Sequence, residues 1–344
     1  MHNTATEPDP TITVVMPAYN AEHYLPRVLP PLLEMLEAGE VDEVLVVDDQ
    51  STDNTADAAR KMGARVIVAP QNGGPGAARN LAAQEAMGDI LWFVDSDVIA
   101  WPGGANHVRN AFAEPDVNAV FGSYDETPDG QQWISKYKNL THRYHHQIAN
   151  RDATTFWAGC GAVRKSAFLD VGGFDVEVYK VPSIEDIELG YRIADTGARI
   201  LVEPRLQGKH LKIWTIGNSL STDIFCRALP WARLMISREG LTDDLNTSSM
   251  ERLRAGLAGL LILSVLTLPF WPGLWPVTGV LLILAFLVNL DLARAMAGHG
   301  GLWFAVKCIL YHQFYYVYSA SIYVWCLFEY HVLGQKEKLG VSRN

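Results

Sequence analysis

The sequence predicts an α/β chain: a parallel sheet built from strand–helix units, followed by an apolar helical C-terminal region. Three observations carry this expectation. Between residues 11 and 94 a short apolar run, a polar turn and a helical pattern recur three times before a fourth run, as in βαβ units. The fourth run, Leu91 to Val94, is continuously apolar and feeds straight into Asp95, Ser96 and Asp97, as expected of a strand buried on both faces. The apolar content is 49%, and its longest charge-free stretches lie after residue 255.

Residues 1–10 lack a basic and then apolar leader pattern and are expected to be a disordered tail. Thr11 to Met16 is the first strand. It ends in the turn Pro17, Ala18, Tyr19, Asn20, ahead of a helix patterned by Leu25, Val28, Leu29, Leu32, Leu33 and Leu36. Val41 to Val47 is the second strand and ends in Asp48 and Asp49. Ser51 to Asp53 offers capping chemistry for a helix over Ala56 to Met62. Arg65 to Ala69 is the third strand, followed by a glycine-rich loop (Asn72 to Gly76) and a helix from Ala77 to Met87. Ile90 to Val94 is the fourth strand.

The strand ends carry the chemistry, because open α/β sheets bind ligands outside the carboxyl ends of their strands. Asp95 and Asp97 are suited to hold a divalent cation, Mg²⁺ or Mn²⁺, against a diphosphate, since hard cations take oxygen ligands and share them with phosphates. Asp48 and Asp49 can accept from a base and ribose hydroxyls, and Tyr19 can pack on a flat base. Gly73, Gly74 and Gly76 permit close backbone approach to phosphates, and Arg79 adds positive charge. The loop is not G-x-G-x-x-G and follows the third strand, which argues against a dinucleotide site.

Four motifs in order carry a resemblance: Pro17 to Asn20, Val47 to Asp53, Asn72 to Asn80, and Val94 to Asp97. They resemble the nucleotide-sugar half of family 2 glycosyltransferases with the GT-A fold, over roughly residues 11–215. The resemblance implies a nucleotide-sugar site comprising Pro17, Tyr19, Asn20, Asp48, Asp49, Gly76, Arg79, Asp95 and Ser96, with Asp97 as metal ligand. It divides the domain into a donor half, 11–97, and an acceptor half, 98–215.

In the acceptor half, Trp157, Gly159, Cys160 and Gly161 form a stretch whose glycines allow close substrate approach; in the family it lies beside donor sugar and acceptor. Ser183 can cap a helix whose first turn holds Glu185 and Asp186, where the helix dipole favours ionised carboxylates. The pair resembles the family's Glu-Asp, which implies Asp186 as general base. Arg199 to Val202 is a last strand. Beyond it, His210 can be a metal ligand or a diphosphate donor, Lys212 can neutralise leaving-group charge, and Trp214 can stack on a sugar. His142, His145 and His146 have no carboxylate at clear spacing and are expected in a solvated or membrane-facing stretch.

The net charge of −10 argues against a nucleic-acid partner. The four cysteines, Cys160, Cys226, Cys308 and Cys326, form no C-x-x-C pair and imply no disulfide framework. Between Arg205 and Arg238 six Lys or Arg stand against the single acid Asp223, which suits an anionic cytosolic membrane face. Residues 216–254 are expected to form interfacial amphipathic helices, with Pro230 as a kink. Within 255–330, spans are expected at about 255–271, 274–290 and 308–328, with a tail at 331–344. Arg252, Arg254 and Arg294 orient the first two spans from the cytosol, whereas Lys336, Lys338 and Arg343 oppose a third crossing under the positive-inside rule.

The expectation is thus a multi-pass protein of the inner (plasma) membrane with a cytosolic catalytic domain. It would transfer one sugar, from a UDP-sugar before a GDP-sugar, to a membrane lipid acceptor such as polyprenyl phosphate. Two alternatives are a processive polysaccharide synthase and a non-catalytic nucleotide- or partner-binding protein. The absence of Gln-x-x-Arg-Trp argues against the first, and intact Asp95, Asp97, Glu185 and Asp186 against the second.

Overall fold

The computed structural model describes residues 9–238 and 248–336. The expected tail at 1–8, the stretch 239–247 of the expected amphipathic region, and 337–344 with Lys338 and Arg343 lie outside them. The chain divides into two units, residues 1–125 with 151–211, and residues 126–150 with 212–344. This differs from an uninterrupted domain over 11–215, because residues 126–150 join the helical unit.

The first unit opens with β1 (Ile12–Ala18), α1 (Leu25–Glu37), β2 (Glu43–Asp48), α2 (Thr55–Met62), β3 (Arg65–Val68), α3 (Gly74–Glu85), β4 (Ile90–Val94) and β5 (Val98–Ala100). Then come α4 (Gly104–Phe112) and β6 (Val117–Tyr124). The helix α5 (Trp133–Ile148) belongs to the second unit. The first unit resumes with β7 (Asp152–Ala153), β8 (Cys160–Arg164), α6 (Lys165–Asp170), α7 (Glu185–Asp195) and β9 (Arg199–His210).

The strands form one sheet in the order β3-β2-β1-β4-β8-β6-β9-β5, with β7 paired to β9. Pairing is parallel among β1, β2, β3 and β4, as the strand–helix alternation requires, and antiparallel where β8 joins β4 and β6. Every residue of β1, β2 and β4 is buried. Helix α1 seals one face with Leu25, Val28, Leu29 and Leu32. At about 25 cal/mol per Å² of apolar surface, such burial is the main stabilising term for these strands. The last strand is longer than expected: β9 continues past Val202 to His210.

The second unit comprises α5, α8 (Ile216–Ser221), a π-helical segment Thr222–Ala228, α9 (Leu229–Ser237), α10 (Ser249–Thr267), α11 (Trp275–Val288) and α12 (Leu290–His331). Ile134, Tyr137 and Leu140 of α5 pack with Trp214 and with Leu292, Met296, Cys308 and Ile309 of α12. Many large apolar side chains face outward instead, among them Trp271, Trp275, Ile283, Leu302 and Trp303. In α11 the one buried residue is Ala285.

Two expectations are corrected here. Residues 229–237 are a packed helix rather than an interfacial one. Arg233 turns inward, and its Nε and Nη2 donate to Glu329 at 3.1 and 3.2 Å, both side chains being buried. Pro230 lies inside a continuous helical run, directly after the π-helical segment Thr222–Ala228, with Ala228 and Leu229 keeping right-handed helical φ and ψ. Three separate spans are not found among the described residues. Among the described residues no single helix is long and apolar enough to cross a membrane, and one pair, Pro272–Val288 with Leu290–His331, meets that test jointly across a 71° bend. Charges in the first turns of α10 and non-helical Gly301 inside α12 interrupt the apolar runs.

Candidate active site

The site is built at the carboxyl end of β4. That strand is held by β1 on one side and β8 on the other, with Val94 opposite Cys160. The Asp95 amide then donates to the Gly159 carbonyl at 3.2 Å, and the Val98 amide donates to the Asp95 carbonyl at 2.9 Å. Asp95, Ser96 and Asp97 therefore form a tight turn between β4 and β5, with all three half-buried.

Pairing of β5 with β9 sets the next contact. Val98 lies opposite His210, and the Leu211 amide donates to the Asp97 carbonyl at 2.8 Å. This register brings His210 Nε2 to 3.4 Å from Asp97 Oδ2. The His210 ring is buried and stacks on Tyr124 at 4.4 Å with an interplanar angle of 5°. Tyr124 in turn meets Trp157 edge-on at 4.9 Å. An aromatic wall of His210, Tyr124 and Trp157 thus borders the acidic turn. Tyr124 was missed in the sequence; its signal was an aromatic residue closing a strand.

Arg79 is buried in α3 and pairs with Asp95 through Nη2, its guanidinium lying 5.8 and 5.5 Å from the Phe93 and Phe174 rings. Its charge is therefore first a counter-ion for Asp95 rather than a free phosphate ligand, which corrects the expected role. Burial raises the Asp95 carboxyl above its usual range; Arg79 opposes the rise, while the charges of Asp97 and Asp186 add to it.

Glu185 and Asp186 open α7. Asp186 is half-buried; its Oδ2 accepts from the Ala158 amide at 3.1 Å and its Oδ1 from the Ile187 amide at 2.9 Å. Glu185 is buried and its Oε2 accepts from the Ser183 amide at 2.7 Å. Burial first, and the Asp186 charge second, push the Glu185 carboxyl up to about 7, against the pull of Arg79. Asp97, His210 and Asp186 all act electrostatically on Asp95, so residues far apart in sequence are gathered around it.

Asn80 is a second residue the sequence did not mark for a role. Its Nδ2 donates to the Phe174 carbonyl and its Oδ1 accepts from the Phe174 amide, both at 2.8 Å. This clips α3 to the Gly172–Gly173 turn, where Gly173 has a φ of +69°. Gly76 faces Phe174, Val176 and Glu185, so a side chain there would crowd the same seam.

The remaining expected residues separate by burial. Tyr19 is 52% exposed at the end of β1, able to meet a base. Asp48 is buried at the end of β2, and its Oδ1 has no hydrogen-bond partner, as suits an acceptor kept for a ligand. Asp49 is engaged elsewhere: its carboxylate accepts from the Gly73 and Gly74 amides at 2.9 and 2.7 Å and shapes the glycine loop. Asn20, at a φ of +52°, accepts from the Thr52 amide through Oδ1 at 2.8 Å, and Pro17 is buried in β1. Both hold the loop rather than a ligand.

Cys160 is wholly buried, with its thiol pushed up to about 12 by desolvation, and offers no side chain to a substrate. A Cβ on Gly161 would meet the Phe156 ring at 2.9 Å, and one on Gly159 the Trp157 ring at 2.5 Å, so both are packing glycines. Lys212 and Trp214 belong to the helical unit. Trp214 is 4% exposed, its amide donates to Ser135 Oγ at 2.6 Å, and Lys212 Nζ lies 4.4 Å over its ring. No open face is left there to stack on a sugar.

The donor set fits a divalent cation. Asp97 supplies a carboxylate oxygen and His210 an imidazole nitrogen at close range, and crowded carboxylates are relieved by positive charge.

Residues 13–172 match the family model for glycosyl transferase family 2. The pre-mycofactocin glycosyltransferase of Mycobacterium tuberculosis is 29% identical over 204 residues, 56% of this chain and 41% of that protein. The validoxylamine A glucosyltransferase of Streptomyces hygroscopicus subsp. limoneus is 30% identical over 231 residues, 58% of this chain and 51% of that protein. The chain thus spans about half or less of these curated relatives. The structure of the mannosyltransferase PcManGT from Pyrobaculum calidifontis, in complex with GDP-Man and Mn²⁺, shares the fold. Its TM-score is 0.54 at 20% identity, covering 92% of this chain and 88% of that one.

Proposed function

We propose that this chain, whose residues 13–172 match glycosyl transferase family 2, moves a single sugar from a nucleotide-sugar with inversion at the anomeric carbon. The observation that carries the reading is the contact of Asp97 with His210 at the carboxyl end of β4, and the action of Asp97, His210 and Asp186 on Asp95 beside them. The donor's base packs on Tyr19 and hydrogen-bonds to Asp48. Asp186, anchored by the Ala158 amide, takes the proton of a hydroxyl acceptor as the acceptor oxygen attacks. Arg79 holds Asp95 in place, and the His210–Tyr124–Trp157 wall limits where the sugar can lie. Mg²⁺ or Mn²⁺ on Asp97 and His210, when bound, supplies the positive charge that offsets charge on the departing nucleoside diphosphate. The imidazole favours Mn²⁺ of the two.

The acceptor in this reading is lipid-borne, polyprenyl phosphate being the first choice, and the donor a UDP-sugar before a GDP-sugar. The outward-facing apolar side chains of the helical unit support a membrane location, since exposed apolar surface of this kind marks membrane or protein contacts. The catalytic domain then works at the cytosolic face of the plasma membrane. The test is release of nucleoside diphosphate by the purified chain from UDP-, GDP- and dTDP-sugars, with Mn²⁺ or EDTA, with and without polyprenyl phosphate. Metal-dependent release stimulated by the lipid is expected. Release that ignores EDTA, or no release from any donor, overturns the reading.

A further inference from the structure

The helical unit gathers a second set of ligand atoms. His145 of α5, Glu251 of α10 and His312 of α12 each present one, and these lie within 4.8 Å of one another. Two imidazoles and one carboxylate form a donor set that binds Zn²⁺ and related divalent transition ions. We propose that His145, Glu251 and His312 bind such an ion, joining three helices of the second unit.

The argument rests on how the set is prepared. His312 is 1% exposed, and one ring nitrogen, Nδ1, lies 2.6 Å from the Tyr137 hydroxyl. Its other nitrogen, Nε2, is buried with no hydrogen-bond partner. An orphaned buried nitrogen carries a desolvation cost, which a metal ligand bond removes. With the Nδ1 proton donated to Tyr137, Nε2 carries the lone pair a metal needs, the usual arrangement behind a metal-bound histidine. Glu251 is held from behind as well: its Oε2 accepts from the Tyr316 hydroxyl at 2.7 Å and its Oε1 pairs with Arg254. A carboxylate has about four acceptor positions, so these contacts orient it and leave room for an ion. Tyr316 also reaches Asn289 Oδ1 at 3.1 Å, which fixes the hydroxyl in turn. Arg254 opposes a cation, and the site is accordingly tuned to moderate affinity.

His145 is half-buried, so His145→Gln removes a ligand without opening the core. The full chain, stripped by chelator, is titrated with Co²⁺ as a spectroscopic probe and then with Zn²⁺, in an Asp97→Asn background that disables the other candidate ion position. One equivalent of Co²⁺ with visible absorption of a nitrogen-ligated ion is expected. The dissociation constant should rise at least tenfold in His145→Gln, with unchanged far-UV circular dichroism. If the Asp97→Asn background does not fold, the same comparison in the unaltered chain should show one equivalent lost on His145→Gln. No uptake in a folded background, or equal uptake with and without His145, overturns the proposal and leaves the three side chains as a hydrogen-bonded core cluster.

Discussion

Asp97 and Asp186 separate two tasks that a pair of acids could otherwise share. Asp97 stands 3.4 Å from His210, whereas Asp186 is tied to the Ala158 amide and stands at the start of α7. With a phosphate acceptor, already anionic, a base has little to do. Asp97→Asn should then lower kcat/KM by about a hundredfold or more, and Asp186→Asn by clearly less. Steady-state rates with polyprenyl phosphate check the order, and a larger loss in Asp186→Asn would point to a hydroxyl acceptor. Glu185 makes a separate prediction. Its carboxyl is raised from 4.5 to about 7, so the folded chain holds a proton that the unfolded chain releases. Its contribution to stability is greatest below about pH 4.5 and falls as the pH rises through about 7. Glu185→Gln should remove that slope and gain stability over the parent at pH 8 but not at pH 5, as read by denaturant unfolding. Equal slopes would refute the assignment.

At the scale of elements, the site depends on how α3 is fastened to the turn before α7. Asn80 supplies two hydrogen bonds to the Phe174 backbone, while Arg192 donates to the Gly173 carbonyl at 2.7 Å. Asn80→Ala leaves both Phe174 groups short of a partner and should cost about 1–3 kcal/mol in unfolding free energy. Because α3 also carries Arg79, the same change should weaken donor binding more than it lowers kcat. Calorimetric titration with donor beside the unfolding curve tests both halves. The asparagine stood in plain view within the third motif, yet its partner lies 94 residues away, and no local pattern names it. His210 was legible only as a candidate, since the β5–β9 register that delivers it to Asp97 is set by long-range pairing.

For the whole molecule, the open question is where the apolar surface of the second unit goes. Trp271, Trp275 and Trp303 are 64%, 71% and 83% exposed, values unusual for side chains of this size in water. The full chain should sediment with liposomes and stay bound in 1 M NaCl, because apolar insertion is insensitive to screening whereas attraction of Arg and Lys to anionic lipid is not. Release by salt would leave only electrostatic attachment.

The sequence by itself determined the strand–helix alternation, the four strand-end motifs and the acidic pairs, because each is written in local periodicity and adjacent residues. It also placed the apolar region. Tertiary structure decided which motif residues face the site: Asp49, Asn20, Cys160 and Gly161 went to the scaffold, while Tyr124 joined the wall. It also turned Trp214 inward, set Arg79 on Asp95 and gave His145 a carboxylate from another helix. The physical reason is common to all of them. Which way a side chain points, and what it meets there, depends on strand register and helix packing between segments far apart along the chain.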